Sequence, residues 1–400
     1  MRDDPPTPPP NYVTSFTLTS ALGAGNEATL QSLSEQRGGL RPYDLRGGGM
    51  TWLGIVDDIG EPLTDDLSSY DCRANRLIRR ALEQDGFMRE VARAREQYGA
   101  ERVACFIGTI SAGLGHLEAC YRDNDSRAND LGSDVRMNET SHLFSATETC
   151  QKALGISGPA ATVSTACSSS AKVFCIADRY LKAGLCDAAV VGGVDCANET
   201  FIYGFRSLGL LSTSPCRPWD RRRDGLSIGE AAGFALLERR RNNPDDIRLL
   251  GFGESGDAYH MTAPHPEGNG AIAAMLGALR SANLKSQEID YINLHGSGTP
   301  ANDASEDAAV LRVFGEDIAC SSTKGWTGHA QGASGITEAI LSMFSIRHGL
   351  IPATINTAEP DSRLRIPVVL ENRSRLVKTA LSNSFGFGGN NCALIFGAPQ

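Results

Sequence analysis

A chain of 400 residues with 41% hydrophobic and 21% charged side chains can bury a large core, as one duplicated unit or as two ordinary domains. Its formal net charge of -9 repels nucleic acid as a general partner, and no stretch reaches about 18 uninterrupted apolar residues, the length of a membrane-spanning helix. The start, MRDDPPTPPP, is acidic and Pro-rich with no apolar run behind it. It reads as a disordered tail over residues 1–10, not as a secretory signal. The 11 cysteines are odd in number, form no CxxC pair and do not cluster with histidine at metal-ligand spacing. That usage predicts a reducing compartment, the cytoplasm, with neither a disulfide framework nor a metal site.

In chain order, short strand-like runs fall at 103–107, 161–164, 188–191, 233–238, 247–253, 290–294, 380–384 and 392–396. Helical patterns alternate with them, which predicts an α/β architecture. Val173, Ile176, Ala177, Tyr180 and Leu181 form one apolar stripe at helical spacing, closed by Gly184; Ile336, Ile340, Phe344 and Arg347 form another, closed by Gly349. The chain's two parts end alike. AAVVGGVD leads to GFALLE in the first, and TALSNSFGFGG leads to NNCALIFG in the second. We read a duplicated fold with halves at 11–240 and 241–400, separated by the polar break NNPDD.

Several motifs invite a chemical reading. GFGESG at 251–256 spells a dinucleotide fingerprint, but DAYHMTAPHP follows it with two prolines and no helical period. A strand-end glycine loop is the better account. His260 and His265 in that loop lack the partner ligands of a zinc site. Cys167, in TVSTACSSSAKVFC, ends a strand-like run at a helix start, where free backbone N–H groups and the positive end of the helix dipole favour a thiolate. From that segment alone, a buried structural cysteine at a tight turn is the better account. Two further segments shift the balance: YINLHGSGTPANDASE ends a strand on His295, and SSTKGWTGHAQGASG places Lys324 and His329 in a Gly-rich loop before a helix.

These motifs, together with RPWDRRRDG at 217–225 and NSFGFGGNN at 383–391, resemble the β-ketoacyl-acyl carrier protein synthases of the thiolase superfamily, the Cys-His-His condensing enzymes. The resemblance runs from about Arg102 to the end, and more loosely from Asn11. It implies a thiolase-like fold with duplicated βαβαβαββ halves in a five-layered αβαβα arrangement. It further implies an acyltransferase that condenses malonyl-acyl carrier protein, with loss of carbon dioxide, onto an acyl group carried by Cys167. The substrates ride on the carrier's phosphopantetheine, with no permanently bound cofactor.

Carried over by position, the nucleophile falls on Cys167, the catalytic histidines on His295 and His329, and the conserved lysine on Lys324. The gate falls on Phe387, and Gly386 and Gly388 let the Phe387 backbone join that of Cys167 in an oxyanion hole. Glu338, Asp303 and Glu306 match supporting groups, with Glu338 making the Lys324 ammonium tolerable and Lys324 keeping His329 neutral. Ser297 and Thr299, with Gly298 between them, stand where the family touches pantetheine. The Arg73, Arg76, Arg79 and Arg80 cluster is the expected docking face for the acidic carrier; Arg217 with Arg221 to Arg223, and Arg239 to Arg241, are the other basic groups. A homodimer is expected, and a heterodimer with a chain-length-factor-like subunit stays open.

The turn LSTSPCRPWD is shorter than in housekeeping elongation enzymes, and YVTSFTLTSALG is atypical. Segments such as GGLRPYDLRGGGMTWLG resemble the ketosynthases of aryl polyene and related pigment clusters. Two other readings compete. A CoA-dependent thiolase normally carries a second cysteine where this chain has NSFGFGGNN, and a non-catalytic chain-length factor normally loses the nucleophile that this chain keeps.

Overall fold

The computed structural model describes residues 10–123 and 135–399. Residues 1–9 of the expected tail lie outside the described residues. One continuous sheet runs through the molecule. Its first-half strands are β1 (Asn11–Ser20), β2 (Val103–Gly108), β3 (Ala160–Val163), β4 (Ala188–Asp195) and β5 (Ala231–Glu238). The second half supplies β6 (Ile247–Gly256), β7 (Tyr291–Asn293), β8 (Ala319–Ser321), β9 (Thr379–Gly386) and β10 (Asn390–Gly397).

The spatial orders are β3-β2-β4-β5-β1 and β8-β7-β9-β10-β6. Numbered within each half, both read 3-2-4-5-1. In each, strands 2 and 3 and strands 2 and 4 pair parallel, while 4 with 5 and 5 with 1 pair antiparallel. The two parts thus share one strand topology, the last strand of the first ending at Glu238 and the first strand of the second starting at Ile247. The halves join where Asn11 to Val13 of β1 pair with Ile247 to Leu249 of β6; the other edge of β1 pairs with β5 from Tyr12 to Ser20, with a register shift between Val13 and Ser15.

Helices fill three further layers. α1 (Arg73–Leu82), α2 (Phe87–Tyr98) and α3 (Phe144–Leu154) cover the outer face of the first half. α5 (Asn269–Ala282) and α6 (Pro300–Phe314) cover that of the second. Between the two halves of the sheet lie α4 (Ser169–Lys182) and α7 (Ser334–His348), packed on each other and on both sheet halves. Every residue of α7 from Ser334 to Ile346 is buried, which explains why its sequence is apolar nearly all round. Gly349, in the left-handed region at φ 62°, ends it. The layering is the αβαβα arrangement, and both predicted helical stripes lie on the two central helices.

Candidate active site

Thr165, Ala166 and Cys167 form the turn between β3 and α4. Ala166 sits at φ 52°, a left-handed conformation that costs a non-glycine residue about 1–2 kcal/mol. The serines that follow hold it. Ser168 Oγ donates to Thr165 O at 2.8 Å, Ser169 Oγ donates to Ala166 O at 2.6 Å, and the Thr165 amide donates to Ser169 Oγ at 2.9 Å. The Ser run after the cysteine thus serves the turn that presents Cys167 at the mouth of a buried helix.

His295 follows β7 by two residues. Glu306 of α6 accepts its amide at 2.8 Å and that of Gly296 at 2.7 Å, and Asn383 of β9 donates to the same carboxylate at 3.1 Å. α6 starts cleanly because Thr299 caps it and Pro300 opens it. Asp303, one turn in, accepts the amides of Trp219 at 3.0 Å and Gly298 at 3.2 Å. Arg223 bridges Asp303 and Asp361, so the RPWDRRRDG segment buttresses the loop that carries His295. His329 is pinned by its backbone: its amide donates to Ser227 O at 2.7 Å and its carbonyl accepts from Gly229 N at 3.0 Å.

One ring nitrogen from each histidine and the Cys167 sulfur lie within 4.8 Å of one another, all buried. The rings are 5.4 Å apart between centroids, nearly perpendicular. Lys324, fully buried, donates to His295 Nδ1 at 3.2 Å, to the His295 carbonyl and to Glu338. On the other ring, His329 Nδ1 accepts the Gln331 amide at 3.0 Å and lies 3.2 Å from Ser334 Oγ. With both Nδ1 atoms accepting, both rings carry their hydrogen on Nε2. Metal-ligating imidazoles do the reverse, donating one nitrogen outward so that the other offers a lone pair. The trio is therefore arranged as two N–H donors around a sulfur, not as a cation site.

Burial dominates the electrostatics of all three groups. Burial first, and then the Lys324 charge, holds both imidazoles well below the usual histidine range. Lys324 touches His295, not His329, so its effect on His329 acts through space. Burial pushes the Cys167 thiol up to about 11, opposed by Lys324 and by the backbone N–H groups of Phe387 and Cys167. Enclosure of the sulfur among side chains thus opposes the thiolate that the helix-start position favours. Burial likewise raises Glu338 and Glu306, each to about 7, against the Lys324 charge for Glu338 and against the amides of Gly296 and His295 for Glu306.

Gly386 packs against the turn that carries Cys167: a Cβ there would meet Thr165 O at 2.9 Å and the Cys167 amide at 3.1 Å. Gly388, at φ 76°, turns the chain after Phe387, whose ring lies 5.8 Å from that of Phe205. A cleft of about 200 Å³ joins Cys167, His295, His329 and Phe387 to Ser297 and Thr299. The two hydroxyls are 2.9 Å apart. His260, at the cleft's edge, accepts backbone amides of Thr262 and Ala263 through Nδ1, a local turn function.

The basic cluster sits elsewhere. Arg73 is bound twice to buried Glu230, and Arg76 twice to Asp71, beside a second depression. Arg79 and Arg80 pair with Glu83 and Asp58 at the surface. Sequence reasoning missed the groups around His329, namely Gln331, Ser334 and Asp195. The signal available was an acid, Asp195, closing a strand whose residues are otherwise small and apolar.

Two adjoining stretches match known families: residues 67–243 the beta-ketoacyl synthase N-terminal domain, and residues 248–358 its C-terminal domain. A 3-oxoacyl-[acyl-carrier-protein] synthase 2 of Vibrio harveyi is 32% identical over 96% of this chain and 97% of its own. A mitochondrial 3-oxoacyl-[acyl-carrier-protein] synthase of Arabidopsis thaliana is 41% identical over 60% of this chain and 57% of its own. Among solved structures, a ketosynthase in complex with its chain length factor from Xenorhabdus doucetiae is 38% identical with a TM-score of 0.89, covering 99% of both chains. The ishigamide ketosynthase/chain length factor is 28% identical with a TM-score of 0.84, over 98% of this chain and 99% of that one. The chain belongs to the β-ketoacyl synthase family.

Proposed function

We propose that this chain is a β-ketoacyl-acyl carrier protein synthase, an acyltransferase that lengthens a carrier-bound acyl chain by two carbons. The observation that carries the reading is the pair of Nε2–H donors facing one buried sulfur. In the first half-reaction the Cys167 sulfur attacks the thioester carbonyl of an acyl carrier protein, and the carbon–sulfur bond to pantetheine breaks. The thiol proton leaves with the departing pantetheine sulfur. The amides of Cys167 and Phe387 hold the tetrahedral oxyanion, each such donor being worth about 3–4 kcal/mol in comparable sites.

In the second half-reaction the malonyl carboxylate leaves as carbon dioxide and its electron pair moves into an enolate. His295 and His329 donate to the enolate oxygen, and their neutrality leaves them as donors that cannot trap the carboxylate as an ion pair. The enolate carbon then attacks acyl-Cys167, and the released sulfur takes a proton from solvent. Ser297 and Thr299 line the pantetheine channel, Phe387 gates the cleft, and Glu338, Asp303 and Glu306 support the site. No resident cofactor or metal enters this scheme.

The acyl carrier protein is the substrate-bearing partner. Arg79 and Arg80 are the members of the basic cluster whose surface pairs an acidic carrier can displace. We place the reaction in the cytoplasm, in keeping with the free state of all 11 cysteines. No described helix is long and apolar enough to cross a membrane. The chain works as a dimer, with itself or with a chain-length-factor-like subunit, in aryl polyene or related polyketide assembly. Supporting the pathway reading is the 38% identity to a ketosynthase solved with a chain length factor. Mass spectrometry of carrier-bound products, from a panel of acyl starters with malonyl-carrier protein, tests it. Polyunsaturated or polyketide chains support the pathway reading, saturated membrane-length chains alone overturn it, and no extension at all overturns the enzyme.

A further inference from the structure

We propose that Asp195 is a positioning residue for His329, its carboxylate holding the Gln331–Gly332 turn whose amide keeps the imidazole hydrogen on Nε2. This rests on the reading of His329 as a donor to the enolate. Asp195 ends β4, is fully buried and does not line the cleft. Its oxygens are surrounded by neutral donors: Thr109 Oγ1 at 2.8 Å, the amides of Ile110 and Ser111, Ser111 Oγ at 2.6 Å and the Gly332 amide at 2.7 Å. The last of these belongs to the turn that follows His329.

That turn does not sit freely. Gln331 is left-handed at φ 55°, a conformation that persists only where surrounding structure over-determines it. Asp195 holds it on one side through Gly332, and the neighbouring Cys196 carbonyl accepts the Gln331 side chain at 3.3 Å. The product of this clamp is the Gln331 amide, directed at His329 Nδ1 from 3.0 Å. Gly332 fits no larger residue, since a Cβ there would lie 2.6 Å from Asp195 Oδ2.

Asp195→Asn places an NH₂ group among N–H donors and releases the turn; Gly332→Ala pushes the same contact apart from the other side. Thr109→Val is the control, removing a different donor to the carboxylate while leaving Gly332 in place. The readouts are malonyl-carrier decarboxylation, acylation of Cys167 by acyl-carrier protein, and ¹⁵N spectra of the histidine rings. We expect Asp195→Asn to lower decarboxylation about 10- to 100-fold while Cys167 acylation stays within about threefold, in line with the loss of orienting partners elsewhere. The His329 ring should change from a pure Nε2–H pattern to a mixture, and Thr109→Val should leave all three readouts near the parent. If Asp195→Asn does not fold, Gly332→Ala decides. The proposal is overturned if His329 of the parent protein carries its hydrogen on Nδ1, if a folded variant decarboxylates at the parental rate, or if both half-reactions fall in equal proportion. A parent protein that neither acylates nor decarboxylates overturns the ketosynthase reading instead, and the ring spectra still decide the role of Asp195.

Discussion

Lys324 Nζ lies 3.2 Å from His295 Nδ1 and also donates to the carbonyl of the same residue and to Glu338. An ammonium has three hydrogens, and each has an acceptor here. The lysine therefore does two things at once: it fixes the His295 tautomer, and its charge adds to burial in holding both neighbouring rings neutral.

Removing that group separates its roles. Lys324→Ala leaves Glu338 buried without its partner, which costs about 3–5 kcal/mol. The paired replacement Lys324→Met with Glu338→Leu restores most of that stability in urea titrations. Decarboxylation stays down in both variants by at least about 100-fold, the scale on which a lost donor acts in a closed site. A Lys324→Ala enzyme that releases carbon dioxide from malonyl-carrier protein at the parental rate contradicts the assignment.

Titration offers a second check. His295 and His329 are depressed in the folded state by burial, so the unfolded chain binds protons first as pH falls. Stability should be fully present above about pH 6.5 and be lost below it, by up to about 1.4 kcal/mol per pH unit for each ring. Decarboxylation should show no acid limb from a histidine near that pH. Cys167 behaves in the opposite direction. Its folded value of about 11 lies above the free thiol's, so alkylation by iodoacetamide should climb about tenfold per pH unit through pH 7–10 without a plateau. A plateau near pH 7 would show a preformed thiolate.

Local pattern made much of this legible. The period of α4 and α7, the strand before Cys167 and the repeated strand–loop–strand ends are short-range features, whereas the shared 3-2-4-5-1 order rests on pairings between distant strands. Cys167, His295, Lys324 and His329 stand at element ends, where motif and structure coincide. What stayed hidden depends on contacts between distant segments. The helix-start argument for a thiolate could not anticipate how completely Cys167 is enclosed. The Arg73 to Arg80 run looked like a free basic face because Glu230, which binds Arg73, lies far away in the sequence, while the local partners Asp71 and Glu83 of Arg76 and Arg79 went unread. Asp195 looked like a strand end, since its role appears only once the turn at 331–332 folds against it.

Gly386→Ala tests the proposed oxyanion site. The added methyl would meet Thr165 O at 2.9 Å and the Cys167 amide at 3.1 Å, so β9 and the Phe387 amide must move away from the sulfur. Loss of one such donor lowers acyl transfer about 10²- to 10³-fold. Single-turnover acylation of Cys167 should fall by that factor while the fold, followed by circular dichroism, is retained. Full acylation would place the oxyanion elsewhere.

The exposed edge of the first sheet half gives the last test. β3 ends the strand order, and its inner hydrogen bonds run from Cys105 N to Pro159 O and from Thr109 N to Val163 O. Because a residue's N–H and C=O point the same way in a strand, the backbone groups of Pro159, Ala161 and Val163 face β2, and those of Ala160 and Thr162 face outward. Among the described residues this edge is unpaired, and an edge without lysine or proline at its outward positions is a template for another chain. Ala160→Pro removes one outward donor and leaves the bonds to β2 untouched. If the dimer forms through this edge, native mass spectrometry of the variant should show monomer where the parent shows dimer, whether the mate is a second copy or a chain-length-factor-like subunit. An undiminished dimer would place the interface on another face.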